Sequence, residues 1–266
     1  MQKRQWHKPH RHKRKKSILR NRFFWLGILI LFSVGAIFYF LFLSETFQTG
    51  KIIVTGGEKV SKEEIERIVE GKLENRILFF PTRSIFSVCL IETKEEILNS
   101  FPQVADVEIK RGFPDVLNVL VTERSGSAVW CQEDKCFLLD DEGIIFEEVS
   151  SETDLVRIVN QRQVGYLLLG ERVINEDTLS RILSIASELK DNLKIPIKEF
   201  VISARDKLAV LTAEEWQIYF NLEEDLEWQL TKLNVVLEEK VPSEDRKDLE
   251  YIDVRFGNLA PLKYRD

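Results

Sequence analysis

The chain has 266 residues with 38 Lys or Arg against 44 Asp or Glu, a formal net charge of −6 that hides a strong asymmetry. Ten cations, Lys3, Arg4, Lys8, Arg11, Lys13, Arg14, Lys15, Lys16, Arg20 and Arg22, precede the first acid at Glu45, so 28 of the 38 remain beside all 44 acids and the rest of the chain is strongly acidic. All 3 histidines, His7, His10 and His12, sit in the basic leader, which excludes Ser-His-Asp and Cys-His nucleophile systems, an imidazole base and a His-containing zinc site from everything beyond it.

The leader, residues 1–22, reads as a topogenic tail whose Lys and Arg stay on the cytoplasmic side of a membrane. Residues 23–43, from Phe23 to Leu43, carry no charge, and 21 residues at ~1.5 Å each match a hydrocarbon core of ~30 Å. A cleavable signal would have a shorter apolar run and small residues before the cut, whereas Leu41, Phe42 and Leu43 are bulky. The expectation is one uncleaved span with the N-terminus in the cytoplasm and the acidic region outside.

Phe47 to Val54 reads as a strand ending at the Gly56-Gly57 turn. Ser61-Lys62-Glu63-Glu64 is a capping box that opens a helix with Ile65, Ile68 and Val69 on one face and Gly71 as its stop. A second box, Thr93-Lys94-Glu95-Glu96, opens a helix that Pro102 ends, and Asn75 to Ile91 between the two reads as a loop. Alternation of Ala105, Val107 and Ile109, and then of Leu117, Val119 and Val121, predicts two antiparallel strands across Gly112-Phe113-Pro114-Asp115. The order is strand, helix, helix, strand, strand: a small α+β unit.

From Ser125 the texture changes. Ala128–Trp130, Cys136–Leu139, Ile144–Phe146, Leu155–Val159, Tyr166–Leu169, Glu199–Ile202, Leu208–Leu211 and Trp216–Phe220 read as short strands. One helix is expected over Asn175 to Lys190 and another along the Leu226, Leu230, Leu233, Leu237 stripe. A last strand, Tyr251 to Phe256, ends at Gly257-Asn258, and as the final strand it stands with equal weight as a sheet edge, open to strand addition, or as an interior strand.

Cys131 and Cys136 bracket Gln-Glu-Asp-Lys, and a hairpin there brings them together; a disulfide and two thiols are equally open from this spacing. Asp140, Asp141 and Glu142 are the obvious carboxylate cluster for a hydrolase working without imidazole, but three acids before Gly143 between apolar strands fit a solvated turn better. Gly56-Gly57 lacks the downstream Lys and glycines of a phosphate loop. No metal, cofactor, small-molecule substrate or nucleic acid is expected.

Several segments, read in order, resemble the FtsQ/DivIB family of bacterial cell-division proteins. Phe101-Pro102-Gln103-Val104-Ala105-Asp106-Val107-Glu108-Ile109-Lys110-Arg111 is similar to the family's Pro-x-Val helix stop and the strand after it, and Pro114 and Val119 to Arg124 continue it to a closing Glu-Arg. Phe137-Leu138-Leu139-Asp140-Asp141-Glu142-Gly143-Ile144-Ile145-Phe146 resembles its Asp-turn-Gly hairpin, and Tyr251-Ile252-Asp253-Val254-Arg255-Phe256 its terminal Tyr-x-Asp-x-Arg-aromatic strand. Ser125-Gly126-Ser127-Ala128 departs from the proline and valine usual before that alanine.

The resemblance implies an α+β fold with a transmembrane helix over 23–43, a POTRA domain over 47–124, a mixed, mainly antiparallel β domain with two helices over 125–258, and a C-terminal tail over 259–266. It also implies a non-enzymatic scaffold at the septum that binds the small coiled-coil proteins FtsB (or DivIC) and FtsL. Carried over by position, the receiving surface is Tyr251, Ile252, Asp253, Val254, Arg255, Phe256, Gly257 and Asn258. Two other readings are a POTRA-bearing envelope-assembly or secretion component, normally marked by tandem POTRA units ahead of a barrel, and an anchored carboxylate-dependent peptidoglycan hydrolase.

Overall fold

The computed structural model describes residues 22–265 apart from 78, 151, 152, 163, 164, 205 and 243. The basic leader expected over 1–22 lies outside the described residues except for Arg22. Within these bounds the chain divides into two compact units. One gathers the residues up to Ile53 with Val69–Cys89 and Lys110–Asn118; the other gathers Val54–Ile68, Leu90–Ile109 and everything from Val119 onward.

The first unit is built on α1 (Arg22–Phe42), none of whose residues is buried and which is exposed from Arg22 to Phe40, as an apolar helix meant for lipid would be. It is long and apolar enough to cross a membrane. A 3-10 turn, Glu45–Phe47, comes next, so the strand expected from Phe47 begins four residues late, as β1 (Lys51–Gly56). The expected loop after Asn75 contains a hairpin, β2 (Asn75–Ile77) with β3 (Phe80–Thr82), in which Arg76 faces Pro81. Pro81 is tolerated because a two-stranded hairpin is all edge. Arg111 Nε donates to the Ile85 carbonyl at 2.6 Å and its Nη2 to that of Val88 at 3.0 Å, tying down the segment after the hairpin.

Helix α2 (Lys62–Leu73) starts where the capping box put it, with the Glu64 amide donating to Ser61 Oγ at 3.3 Å. Gly71 does not end it. The helix runs two residues further and buries Leu73 completely, which outweighs the roughly 1 kcal/mol cost of an interior glycine. Helix α3 (Leu90–Ser100) begins three residues before Thr93, which is fully buried inside its first turns rather than standing outside as a cap. β4 (Val104–Gly112) and β5 (Val116–Glu123) complete a three-stranded sheet in the order β1-β5-β4. On β5 the expected Leu117, Val119 and Val121 are the buried residues; on β4 the buried pair is Val104 and Val107, and Ala105 is exposed. Gly56, at φ +76°, closes β1 where an added Cβ would lie 2.1 Å from the Val121 carbonyl oxygen.

The second large sheet has nine strands: β6 (Ala128–Gln132), β7 (Lys135–Leu139), β8 (Ile145–Val149), β9 (Val156–Asn160), β10 (Ile197–Ala204), β11 (Lys207–Thr212), β12 (Gln217–Phe220), β13 (Leu249–Asp253) and β14 (Leu262–Tyr264). Their order is β14-β13-β12-β11-β10-β9-β6-β7-β8. The pairs β6·β9, β9·β10 and β12·β13 are parallel and the other five antiparallel, so the sheet is mixed and mainly antiparallel. Helix α4 (Glu176–Ser187) is capped by Asn175 Oδ1, which accepts from Thr178 N at 2.7 Å, and helix α5 (Leu226–Glu239) by Asp225. One apolar core joins the sheet to both helices, with Trp216, Phe200 and Phe220 its largest enclosed side chains. Tyr166–Leu169, expected as a strand, is irregular and leads into a turn at Gly170, at φ +89°.

Cys131 and Cys136 face each other across β6 and β7 and are joined by a disulfide, with Cα atoms 4.1 Å apart. The acidic turn is not solvated throughout. Asp140 is 2% exposed; its Oδ2 is paired with Arg124, and its Oδ1 accepts the Ile144 amide at 2.8 Å. Gly143, at φ +78°, lets the turn pass against Ile174, whose carbonyl oxygen would lie 2.0 Å from a Cβ there. A sequence of adjacent acids looks the same whether water or a distant arginine satisfies it; the arginine satisfies Asp140, while Asp141 and Glu142 remain exposed.

Candidate interaction surface

The terminal strand ends sooner than its alternation suggests. β13 covers Leu249–Asp253; the Val254 amide still donates to the Tyr219 carbonyl of β12 at 3.1 Å, Arg255 leaves the ladder, and a turn forms at Phe256–Asn258. Nor is β13 at the edge. It pairs in parallel with β12, Ile218 opposite Ile252, and on its other side with β14, Tyr251 opposite Lys263. The stretch expected as a plain tail over 259–266 supplies that last strand.

Burial explains the early stop. Ile252 and Val254 are fully buried, and Asp253 between them is nearly so, so three consecutive residues point into covered surroundings and strict alternation breaks. Asp253 is made tolerable by Arg255, whose Nε and Nη2 donate to its two carboxylate oxygens at 2.9 and 2.6 Å while the Arg255 amide adds a third bond at 3.1 Å. That carboxylate, by its hydrogen bond, holds the Arg255 guanidinium above its ordinary range. The guanidinium lies 5.6 Å from the Tyr219 ring and 5.4 Å from that of Phe256. Burial, then the nearby Asp253 charge, raises the Tyr219 phenol. Tyr219 also meets the Tyr251 ring at 5.5 Å.

Helix α5 fixes the loop from below. Lys232, nearly buried, aims its ammonium at three main-chain oxygens: Val254 at 2.6 Å, Gly257 at 2.8 Å and Phe256 at 3.1 Å. Three N–H donors meet three acceptors, so the charge is fully hydrogen-bonded even though burial pulls its pKa below the usual lysine value. One turn earlier, Trp228 Nε1 donates to the same Gly257 carbonyl at 2.9 Å. Phe256 is left 53% exposed, and a groove opens between the loop and α5, lined by Trp228, Lys232, Val235, Phe256, Leu259 and Pro261.

The structure therefore divides the eight residues assigned to this surface. Tyr251 to Asp253 form the strand now covered by β14, and Val254 to Asn258 form the braced loop. Lys232, Trp228 and Leu259 were missed by the sequence reading. Only Lys232 gave a signal, as a cation within the apolar stretch of the Leu226–Leu237 stripe.

The family model described as cell division protein FtsQ/DivIB, C-terminal, matches residues 128–255, and the POTRA domain, FtsQ-type, matches residues 47–124. The chain belongs to the FtsQ/DivIB family. Among curated proteins it is similar to cell division protein FtsQ of Novosphingobium aromaticivorans, at 32% identity over 151 residues. That stretch is 54% of this chain and 43% of the relative, so the chain matches less than half of the relative's length. The FtsQ/DivIB match ends at residue 255, which leaves the Phe256 turn and β14 outside the matched segment.

Proposed function

We propose that this protein is a non-enzymatic scaffold of the bacterial division machinery at the septum. It is anchored in the plasma membrane by α1, with its N-terminus in the cytoplasm and its POTRA and β domains outside. Its partners are small coiled-coil division proteins of the FtsB (or DivIC) and FtsL kind, received on Tyr251 to Asn258. Family membership supports the division role, and the apolar helix behind a cationic leader supports the anchor and its direction.

One observation carries the binding site: a loop that presents an exposed aromatic ring is braced from below by hydrogen bonds from a buried lysine and a tryptophan indole. A surface shaped in advance binds with less ordering cost, and aromatic anchors dominate such interfaces. The partner's strand takes the place of β14, which is only three residues long, and its apolar side chains fill the groove beside Phe256.

The test is co-purification of the tagged full-length chain with its division partners. Phe256→Asp is expected to lose the partner while the anchor remains inserted, as is truncation before Tyr251. Deletion of residues 262–266 is expected to keep or strengthen capture, because it clears the β13 edge. Loss of capture on that deletion would show that β14 is itself the platform, and survival after truncation before Tyr251 would remove the site altogether. A fluorescent fusion spread evenly over the envelope, without a midcell band, would argue against the division role.

A further inference from the structure

The last turn of α1 is not left to water. Its orphan carbonyls, which a helix end must satisfy from elsewhere, are taken by side chains from the end of β3, the segment just after it and the chain just beyond the helix. Ser84 Oγ donates to the Leu41 oxygen at 2.8 Å, Thr82 Oγ1 to that of Phe42 at 2.6 Å, and Gln48 Nε2 to the same Phe42 oxygen at 3.0 Å. Gln48 Oε1 in turn accepts the Arg83 amide at 2.7 Å. The hairpin β2–β3 is thereby fastened to the end of the apolar helix.

A run of aromatic rings continues from the helix into the same unit. Phe38 meets Phe42 at 4.9 Å between ring centroids, Phe42 meets Phe86 at 6.4 Å, and Phe86 meets Phe113 at 5.8 Å. Its outer end is open, with Phe113 67% exposed, and the hairpin tip offers Phe79 at 92% and Phe80 beside it. Such an apolar group in water needs a cover.

Resting on the reading that α1 crosses the bilayer, we infer that Phe79, Phe80 and Phe113 enter the interfacial layer of the outer leaflet beside the span. Position argues for lipid as the occupant. If the 21 residues of α1 fill the hydrocarbon core, Phe42 lies at its boundary, and so do Thr82 and Ser84 bonded to its last turn. The headgroup layer beyond is ~5–8 Å thick on each side. Phe79 is three residues from Thr82, a reach of at most ~10 Å along the strand, and Phe113 is two ring contacts from Phe42. Arg76 within β2 and Arg83 directly after β3, the latter 3.9 Å from Glu70, supply exposed cations that can meet lipid phosphates. The aromatic surface is a second anchor, continuous with the first.

The test places a nitroxide label on the full-length chain, in a Cys89→Ser background with the disulfide intact, in nanodiscs of phosphatidylethanolamine and phosphatidylglycerol. Phe79→Cys and Phe113→Cys are labelled one at a time so that the other rings remain, with Leu31→Cys as the deep reference and Tyr166→Cys as the aqueous one. Collisions with a water-soluble nickel chelate are expected to be several-fold fewer at 79 and 113 than at 166, while collisions with oxygen are more frequent. Nickel contact at both sites equal to that at 166, with 31 deep, overturns the inference and leaves the span intact. Shielding of 79 and 113 from nickel and oxygen alike overturns it in favour of a protein cover. Nickel contact at 31 overturns the spanning reading and the inference with it.

Discussion

Two buried aspartates, Asp140 and Asp253, each paired with an arginine, teach different lessons. Asp140 binds Arg124 from 16 positions earlier in the chain, and Arg124 is itself engaged, its amide on the Gln103 carbonyl at 2.8 Å and its Nε on that of Pro102 at 3.2 Å. That pair joins separate stretches of chain and is more shielded from water than the second, with Arg124 only about a tenth exposed. Asp253 binds Arg255 only two residues away, and its arginine, partly exposed, lies against the rings of Tyr219 and Phe256. The first pair holds architecture; the second shapes a surface. The same two residue types serve either end, and the distance along the chain and the access of water decide which.

The comparison breaks most readily at Arg124. Arg124→Ala leaves Asp140 buried without its counter-charge, and the expected loss is about 3–5 kcal/mol of unfolding free energy, read by urea denaturation. Arg255→Ala is expected to cost about 1–3 kcal/mol, because water reaches Asp253 once the guanidinium is gone, yet to weaken partner capture far more than Arg124→Ala does per unit of stability lost. Equal stability losses for the two would erase the distinction.

A smaller effect concerns pH at the residue before Arg124. Glu123 is raised by burial but lowered further by the amides of Val60, Glu58 and Lys59, and its net pKa lies below the ordinary 4.5. Two of those bonds, from Lys59 and Val60, measure 2.7 and 2.9 Å. With the folded value depressed, the stabilisation is full above the unfolded value of 4.5 and fades as pH falls through the folded one. Glu123→Gln is therefore expected to be less stable than the parent at neutral pH, with the gap narrowing below pH 4.5. A gap that is flat across that range would mean the carboxylate charge is not what the amides hold.

Much of the fold was legible because local patterns and burial agree. Leu117, Val119 and Val121 alternate and are buried in alternation; the helices expected over Asn175 to Lys190 and along the Leu226–Leu237 stripe are found as α4 and α5. Failures came where a distant partner overrules the local signal. Thr93 has the spacing of a cap but a buried position inside α3, and Gly71 has the look of a stop but lies before a leucine that the core requires. β14 is three residues after a proline, too short for any period to show. At the proposed binding surface, the pattern from Tyr251 to Phe256 stands out in the chain alone, whereas the brace beneath it does not, since what makes Lys232 structural is the position of three carbonyl oxygens more than twenty residues away.

The hydrogen bonds that seal the end of α1 have a mechanical meaning. A helix that finishes in a free linker can spin about its axis without disturbing the domain attached to it. Here Ser84, Thr82 and Gln48 grip its final turn from the outside, so there is no swivel at Leu41 and Phe42. A twist applied to α1 about its axis is therefore delivered to the hairpin and the residues that carry it.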